Sequence, residues 1–183
     1  MKHLRHWLTG GPLVLLVGVA LGAITITVLA ADPGKPQQPQ LTLMRAGSRP
    51  LIDGPAENFT GKARIDRQVR PDDPSRPIGS MVYFEPGART AWHSHPLGQT
   101  LIVISGCGWI QAEGGPKKMI QPGDVIWTPP NVRHWHGAQA SVAMSHYAIV
   151  EPLNGVSAQW MEKVTDEQYG PQEQTKCMSW TTN

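Results

Sequence analysis

Short apolar runs cut by glycine and proline dominate the chain from Thr60 to Val150, and this punctuation restricts the fold more than any other feature. The breaks are Glu85–Gly87, Pro96–Gly98, Glu113–Pro116, Gln121–Asp124 and Pro129–Asn131. Runs so closely interrupted suit strands joined by turns, not helices, and predict an all-β domain. The predicted strands are Thr60–Asp66, Gly79–Phe84, Thr100–Ser105, Gly108–Ala112, Val125–Thr128, His134–Gly137 and Val142–Val150. Leu101–Ile104 is apolar at every position, the pattern of a strand buried on both faces. One helical segment is expected around Ser157–Tyr169, and the absence of internal duplication predicts one barrel, not two.

The first thirty or so of the 183 residues read differently. Lys2 and Arg5 precede an apolar run from Pro12 to Ala31, which ends in the small-residue pattern Val28–Ala31. Residues 1–31 are therefore expected to be a secretory signal peptide, with an uncleaved N-terminal anchor as the alternative. On that reading the protein is exported, periplasmic or secreted, and free of the membrane once cleaved. The chain has 16 Lys+Arg and 14 Asp+Glu; without the leader's two bases it carries 14 of each. A neutral mature chain with no basic stripe argues against a nucleic-acid partner. Residues 32–40 (DPGKPQQPQ) read as a solvated linker, 41–170 as the folded domain and 171–183 as a polar tail. Cys107 lies in an apolar stretch and Cys177 in the tail, so spacing offers no geometric reason to expect a bond between them.

Chemistry concentrates in the histidines. His3 and His6 belong to the leader, while His93, His95, His134, His136 and His146 fall on or beside predicted strands. Residues two apart on a strand share a face, about 7 Å apart along the chain, so His93 and His95 can aim at one point. Gln99 follows the tight Pro96–Gly98 link and can return on the neighbouring strand with its amide oxygen facing that point. His134, after the rigid Thr128–Asn131 turn, supplies a third imidazole from far along the chain. Three neutral imidazoles and one oxygen make a site for a divalent first-row metal with positions left open.

The surrounding spacing sharpens this. Gly87-x5-His93-x-His95-x3-Gln99-x6-Gly106 is followed by Gly123-x5-Pro129-x-Asn131-x2-His134. In that order these resemble the two motifs of the cupin superfamily, whose fold is a jelly-roll barrel. Gln99 stands where most cupins have glutamate, and Asn131 where glycine is usual; asparagine tolerates the left-handed backbone that glycine supplies there. Phe84–His95, Pro96–Val103, Gly106–Trp109, His134–Gly137 and Val164–Tyr169 further resemble the small manganese-binding cupins that include bacterial hydroxynitrile lyases. The resemblance implies a single cupin barrel with a short C-terminal helical segment, Mn2+ (with Fe2+ or Zn2+ as alternatives) on His93, His95, Gln99 and His134, and a homo-oligomer.

It also implies a small-molecule substrate: an α-hydroxynitrile, cleaved to an aldehyde or ketone and hydrogen cyanide by Lewis-acid and general acid/base catalysis. His146 is the preferred proton carrier, and His136 either a second catalytic group or a hydrogen-bonded support. An oxidative dioxygenase and a non-catalytic binding cupin are the alternatives. Trp92, Trp109, Trp127 and Trp135 are expected to serve packing, and Arg89 a surface contact or salt bridge.

Overall fold

The computed structural model describes residues 43–69 and 76–170. The predicted leader, linker and tail, with Cys177, lie outside the described residues. The chain divides into two compact units, Met1–Met44 and Arg45–Asn183, and the second holds every element below.

Its strands are β1 (Ile52–Asp53), β2 (Phe59–Thr60), β3 (Ala63–Val69), β4 (Ile78–Phe84), β5 (Arg89–Thr90), β6 (His93–Ser94), β7 (Gln99–Gly106), β8 (Gly108–Ala112), β9 (Lys118–Ile120), β10 (Val125–Thr128), β11 (His134–Ala138), β12 (Met144–Val150) and β13 (Gln159–Trp160). One helix, α1 (Asp166–Tyr169), follows. One sheet runs β1-β3-β4-β12-β7-β10. In the other, β11 pairs with β8 along one edge and with β5 and β6 along the other, while β2 and β13 add to β5 and β6. All named pairings are antiparallel, as expected for strands joined by short turns.

The all-β expectation is met and every predicted strand is present: Gly108–Ala112 and Val125–Thr128 have the predicted bounds, and the others have shifted ends. Thr60–Asp66 is the one that divides, because Gly61 adopts a left-handed φ of 74° between β2 and β3. Four residues of helix, not a longer segment, end the described chain, and Gln159–Trp160 is strand. Leu101 and Val103 are buried but Ile104 is 49% exposed, so β7 is covered on one face only, contrary to the expectation of two. Cys107 is fully buried.

Two apolar layers result. Phe59, Val82, Phe84, Leu101, Val103, Ile110 and Met144 fill the first core cluster. Trp92, Trp109 and Trp135 form a second with Val164 and Tyr169. Three of the four tryptophans thus pack as expected, while Trp127 is 58% exposed.

Arg89 ties the C-terminal segment to β5, and it is buried, not at the surface. Its Nε and Nη2 donate to the Val164 carbonyl at 3.2 and 3.0 Å, its guanidinium lies 4.5 Å from the Tyr169 ring centre, and Nη2 pairs with Asp166 at 2.6 Å. The carboxylate side chain of that pair is 91% exposed. Water therefore screens the ion pair, whereas the buried carbonyl has no substitute donor. Arg89→Ala should destabilise the protein by about 2 kcal/mol and Asp166→Ala by less than ~1 kcal/mol. Denaturant unfolding of both variants checks the order.

Candidate metal centre

The site forms where the two sheets face each other. His134 opens β11 and pairs with His93 of β6, while Gly137, three residues on, pairs with Arg89 of β5. The paired numbers sum to 227 in the first case and 226 in the second, so the β5–β6 edge carries one extra residue, a bulge. It lies at Ala91–Trp92, whose backbone N–H groups leave the ladder and donate to Asn58 and Glu162 carbonyls at 2.7 and 3.0 Å. The bulge resets the face on which His93 emerges.

Gln99 does not return on the neighbouring strand. It begins β7, in the facing sheet, between Thr128 of β10 and Val150 of β12. Pro96–Gly98 carries the chain from one sheet to the other. Gly98 has φ 82°, and a Cβ there would sit 2.8 Å from the Thr128 carbonyl oxygen, so the crossing has no room for a larger residue. Asn131 takes the left-handed φ of 62° anticipated for it, and its N–H donates to the His95 carbonyl at 2.8 Å.

Backbone carbonyls fix the tautomers. Nδ1 of His93 faces the Ala91 carbonyl at 3.0 Å, Nδ1 of His95 faces Ser157 at 2.6 Å and Nδ1 of His134 faces Val132 at 3.0 Å. A nitrogen facing a carbonyl must carry the hydrogen, which leaves each Nε2 as a bare lone pair. One ligand atom from each of the three rings lies within 4.8 Å of the others. Gln99 Oε1, another acceptor, is 3.1 Å from His134 Nε2, and the buried His95 Nε2 has no hydrogen-bond partner. Converging acceptors without a donor repel one another, and a cation is the species that satisfies all four. These residues fit a divalent metal.

Burial keeps the rings neutral. It holds His93 well below the ordinary histidine range, with the neighbouring His134 and His95 adding to the effect, and lowers His95 as well. Burial also brings His134 down to about 4, opposed by the Val132 carbonyl. No proton has to leave a ligand at neutral pH.

His136 and His146 meet across the barrel from opposite sheets, with His146 Nε2 3.1 Å from His136 Nδ1. Both are buried, and burial drives His136 well below its ordinary range and His146 to about 4. Phe84 packs against both rings, at 5.9 and 5.4 Å between centres. His136 Nε2 and His146 Nδ1 have no hydrogen-bond partner.

A cavity of about 250 Å³ reaches this cluster, lined by His95, His136 and Thr90 among others. His146 is absent from its lining and stands behind His136. The other walls include Phe59, Ile65, Val82, Val150 and Trp160. Two contributors were missed in the sequence. Trp160 pairs with His93 across β13 and β6, with ring centres 4.7 Å apart. Thr90 Oγ1 accepts from the His136 backbone N–H at 3.1 Å. Alternation back from His93 would not have pointed to Thr90, because the bulge intervenes, and Trp160 arrives from a strand distant in sequence.

A cupin-domain family matches residues 80–150. A cupin-like protein of Thermotoga maritima superposes with a TM-score of 0.64 at 39% identity, covering 68% of this chain and 94% of that one. The (R)-mandelonitrile lyase of Granulicella tundricola is 56% identical over 129 residues, which are 70% of this chain and 98% of the relative. The chain belongs to the cupin family. A cupin-2 domain protein of Rhodospirillum rubrum, at 16% identity and TM-score 0.53, shares the fold over 74% of this chain and 88% of its own.

In this cupin, replacing His93, His95 or His134 with alanine should each abolish stoichiometric metal binding, since each removes a strong donor. Gln99→Ala should only weaken binding, because water can replace an amide oxygen, and Gln99→Glu should tighten it by adding an anion. Elemental analysis and metal titration of the purified variants test the order; full metal in all three histidine variants would rule out the site.

Proposed function

We propose that this cupin is a hydroxynitrile lyase, cleaving a cyanohydrin to an aldehyde or ketone and hydrogen cyanide. The observation that carries the reading is a neutral imidazole, His136, lining the same cavity as His95 of the acceptor cluster. The 56% identity to a mandelonitrile lyase over nearly all of that relative's length supports it. His93, His95, His134 and Gln99 would hold the metal, and likeness of this ligand set to the manganese cupins favours manganese. Bound there, a divalent ion supplies Lewis-acid chemistry, polarising a hydroxyl oxygen and lowering its pKa.

The chain's own residues do the rest. With its hydrogen on Nδ1, His136 donates to His146 Nε2 and keeps a lone pair on Nε2. That lone pair takes the substrate hydroxyl proton. The O–H electron pair becomes the carbonyl π bond as the bond to the nitrile carbon breaks, and its electrons leave with cyanide. His136 then returns the proton to cyanide, so nothing is oxidised or reduced. His146, the carrier preferred on sequence grounds, acts in this scheme through His136, holding its tautomer and the resulting charge. The apolar walls exclude water from the departing cyanide and seat the organic substituent.

The manganese-loaded protein should release benzaldehyde from mandelonitrile. General acid–base assistance contributes roughly 10²–10⁴ in rate, so His136→Ala should lose a factor in that range. His146→Ala should also lose most of the rate, and both variants should retain their metal. Benzaldehyde release measured alongside metal content decides the matter. No release from a fully loaded wild type would sink the lyase assignment, and undiminished activity in His136→Ala would remove that residue from the chemistry.

A further inference from the structure

We propose that Arg67 binds an anionic group at the end of the substrate remote from its hydroxyl, so that the preferred carbonyl compound carries a carboxylate. The inference rests on the lyase reading of this site and names its substrate class.

Side chains on β3 alternate between faces. Ala63 and Ile65 pair with Phe84 and Val82, and all four belong to or pack against the main core. Two residues on, in the same series, stands Arg67, opposite Ser80. The row continues through Ala148 of β12 to Leu101 of β7. One row deeper runs Ile65–Val82–His146–Val103. Arg67 therefore stands one step, about 7 Å along the strand, from the row that carries the histidine behind His136.

Arg67 and Ser80 both line the cavity that reaches His95 and His136. Among the described lining residues Arg67 is the one permanent charge, and no described carboxylate pairs with it. Its neighbours in the wall include Ile65, Ile78 and Val82. The guanidinium borders this apolar wall on one side and solvent on the other, and a carboxylate is the group its planar fork matches. The side chain is exposed, at the outer part of a cavity whose inner part holds the histidines. A substrate spanning the two would place its hydroxyl inward and its anion outward.

An inward-facing charge can also guard an unpaired strand edge. β3 has such an edge beyond Ile65, because β1 covers only Arg64 and Ile65. The experiment distinguishes the two roles.

Manganese-loaded full-length protein is assayed with cyanide and either 4-carboxybenzaldehyde or its neutral methyl ester, in wild type, Arg67→Met and Arg67→Lys. Wild type should show a KM about two- to fivefold lower for the carboxylate, the range for a solvated charge pair. Arg67→Met should erase that preference and leave the neutral ester unchanged, and Arg67→Lys should keep part of it. A preference that survives Arg67→Met overturns the proposal, since the carboxylate would then be binding elsewhere. So does an Arg67→Met protein that aggregates while its soluble fraction keeps the preference, the signature of an edge guard. Binding of 4-carboxybenzyl alcohol against benzyl alcohol, followed by NMR, separates this proposal from the lyase reading. Arg67-dependent binding without turnover would overturn the lyase and support the anion site. Turnover with no carboxylate preference would do the reverse.

Discussion

Backbone carbonyls of Ala91, Ser157 and Val132 each accept a hydrogen bond from the Nδ1 of a histidine, and the chemistry of the barrel depends on those bonds. Without them each buried ring could carry its hydrogen on either nitrogen, and a hydrogen on Nε2 would close the site to a cation. With them, three lone pairs and the Gln99 oxygen meet in the buried interior. Two of the carbonyls sit two residues before their histidine, so local backbone shape suffices. The third, Ser157, lies 62 residues from His95 and requires the chain to come back after β12. The segment that follows is held by Arg89 and by the aromatic layer of Trp92, Trp135 and Tyr169. The ligand tautomer is thus coupled to packing on the far side of the sheet.

The two sheets divide the labour. The sheet around β11 provides His93, His134 and His136, and the facing sheet provides Gln99 and His146. Ligand set and histidine pair are both completed across the gap, so the separation of the sheets sets both geometries. Burying five imidazoles costs nothing in charge so long as they remain neutral, and burial itself enforces that. A glutamine ligand suits the same interior. It offers an oxygen without a negative charge, so it does not diminish the positive charge of the ion it would help to hold.

Much was legible before any coordinates. Gly and Pro breaks located the strands because turns need those residue types, and His-x-His with a distant histidine pointed to the three imidazoles that converge in the barrel. The left-handed Asn131 was legible for the same reason. What escaped depends on contacts distant in sequence. Gln99 was placed on a neighbouring strand because adjacency in sequence suggests adjacency in a sheet, yet Pro96–Gly98 crosses to the opposite one. Ile104 looked buried because Leu101–Ile104 is apolar at every position, and only its position in the sheet leaves that face open.

Residue order by itself therefore determined most of the strand pattern and the family motifs, and those motifs pointed to the four acceptors, of which His134 lies far along the chain from the others. Only the tertiary structure decided which histidine lines the cavity. His136 and His146 are both inward-facing by alternation, and nothing in their spacing ranks them. Their order emerges when β11 and β12 bring them face to face, with His136 on the cavity side and His146 against Phe84 behind it. Depth within a barrel is set by how two sheets stack, a property of neither strand alone.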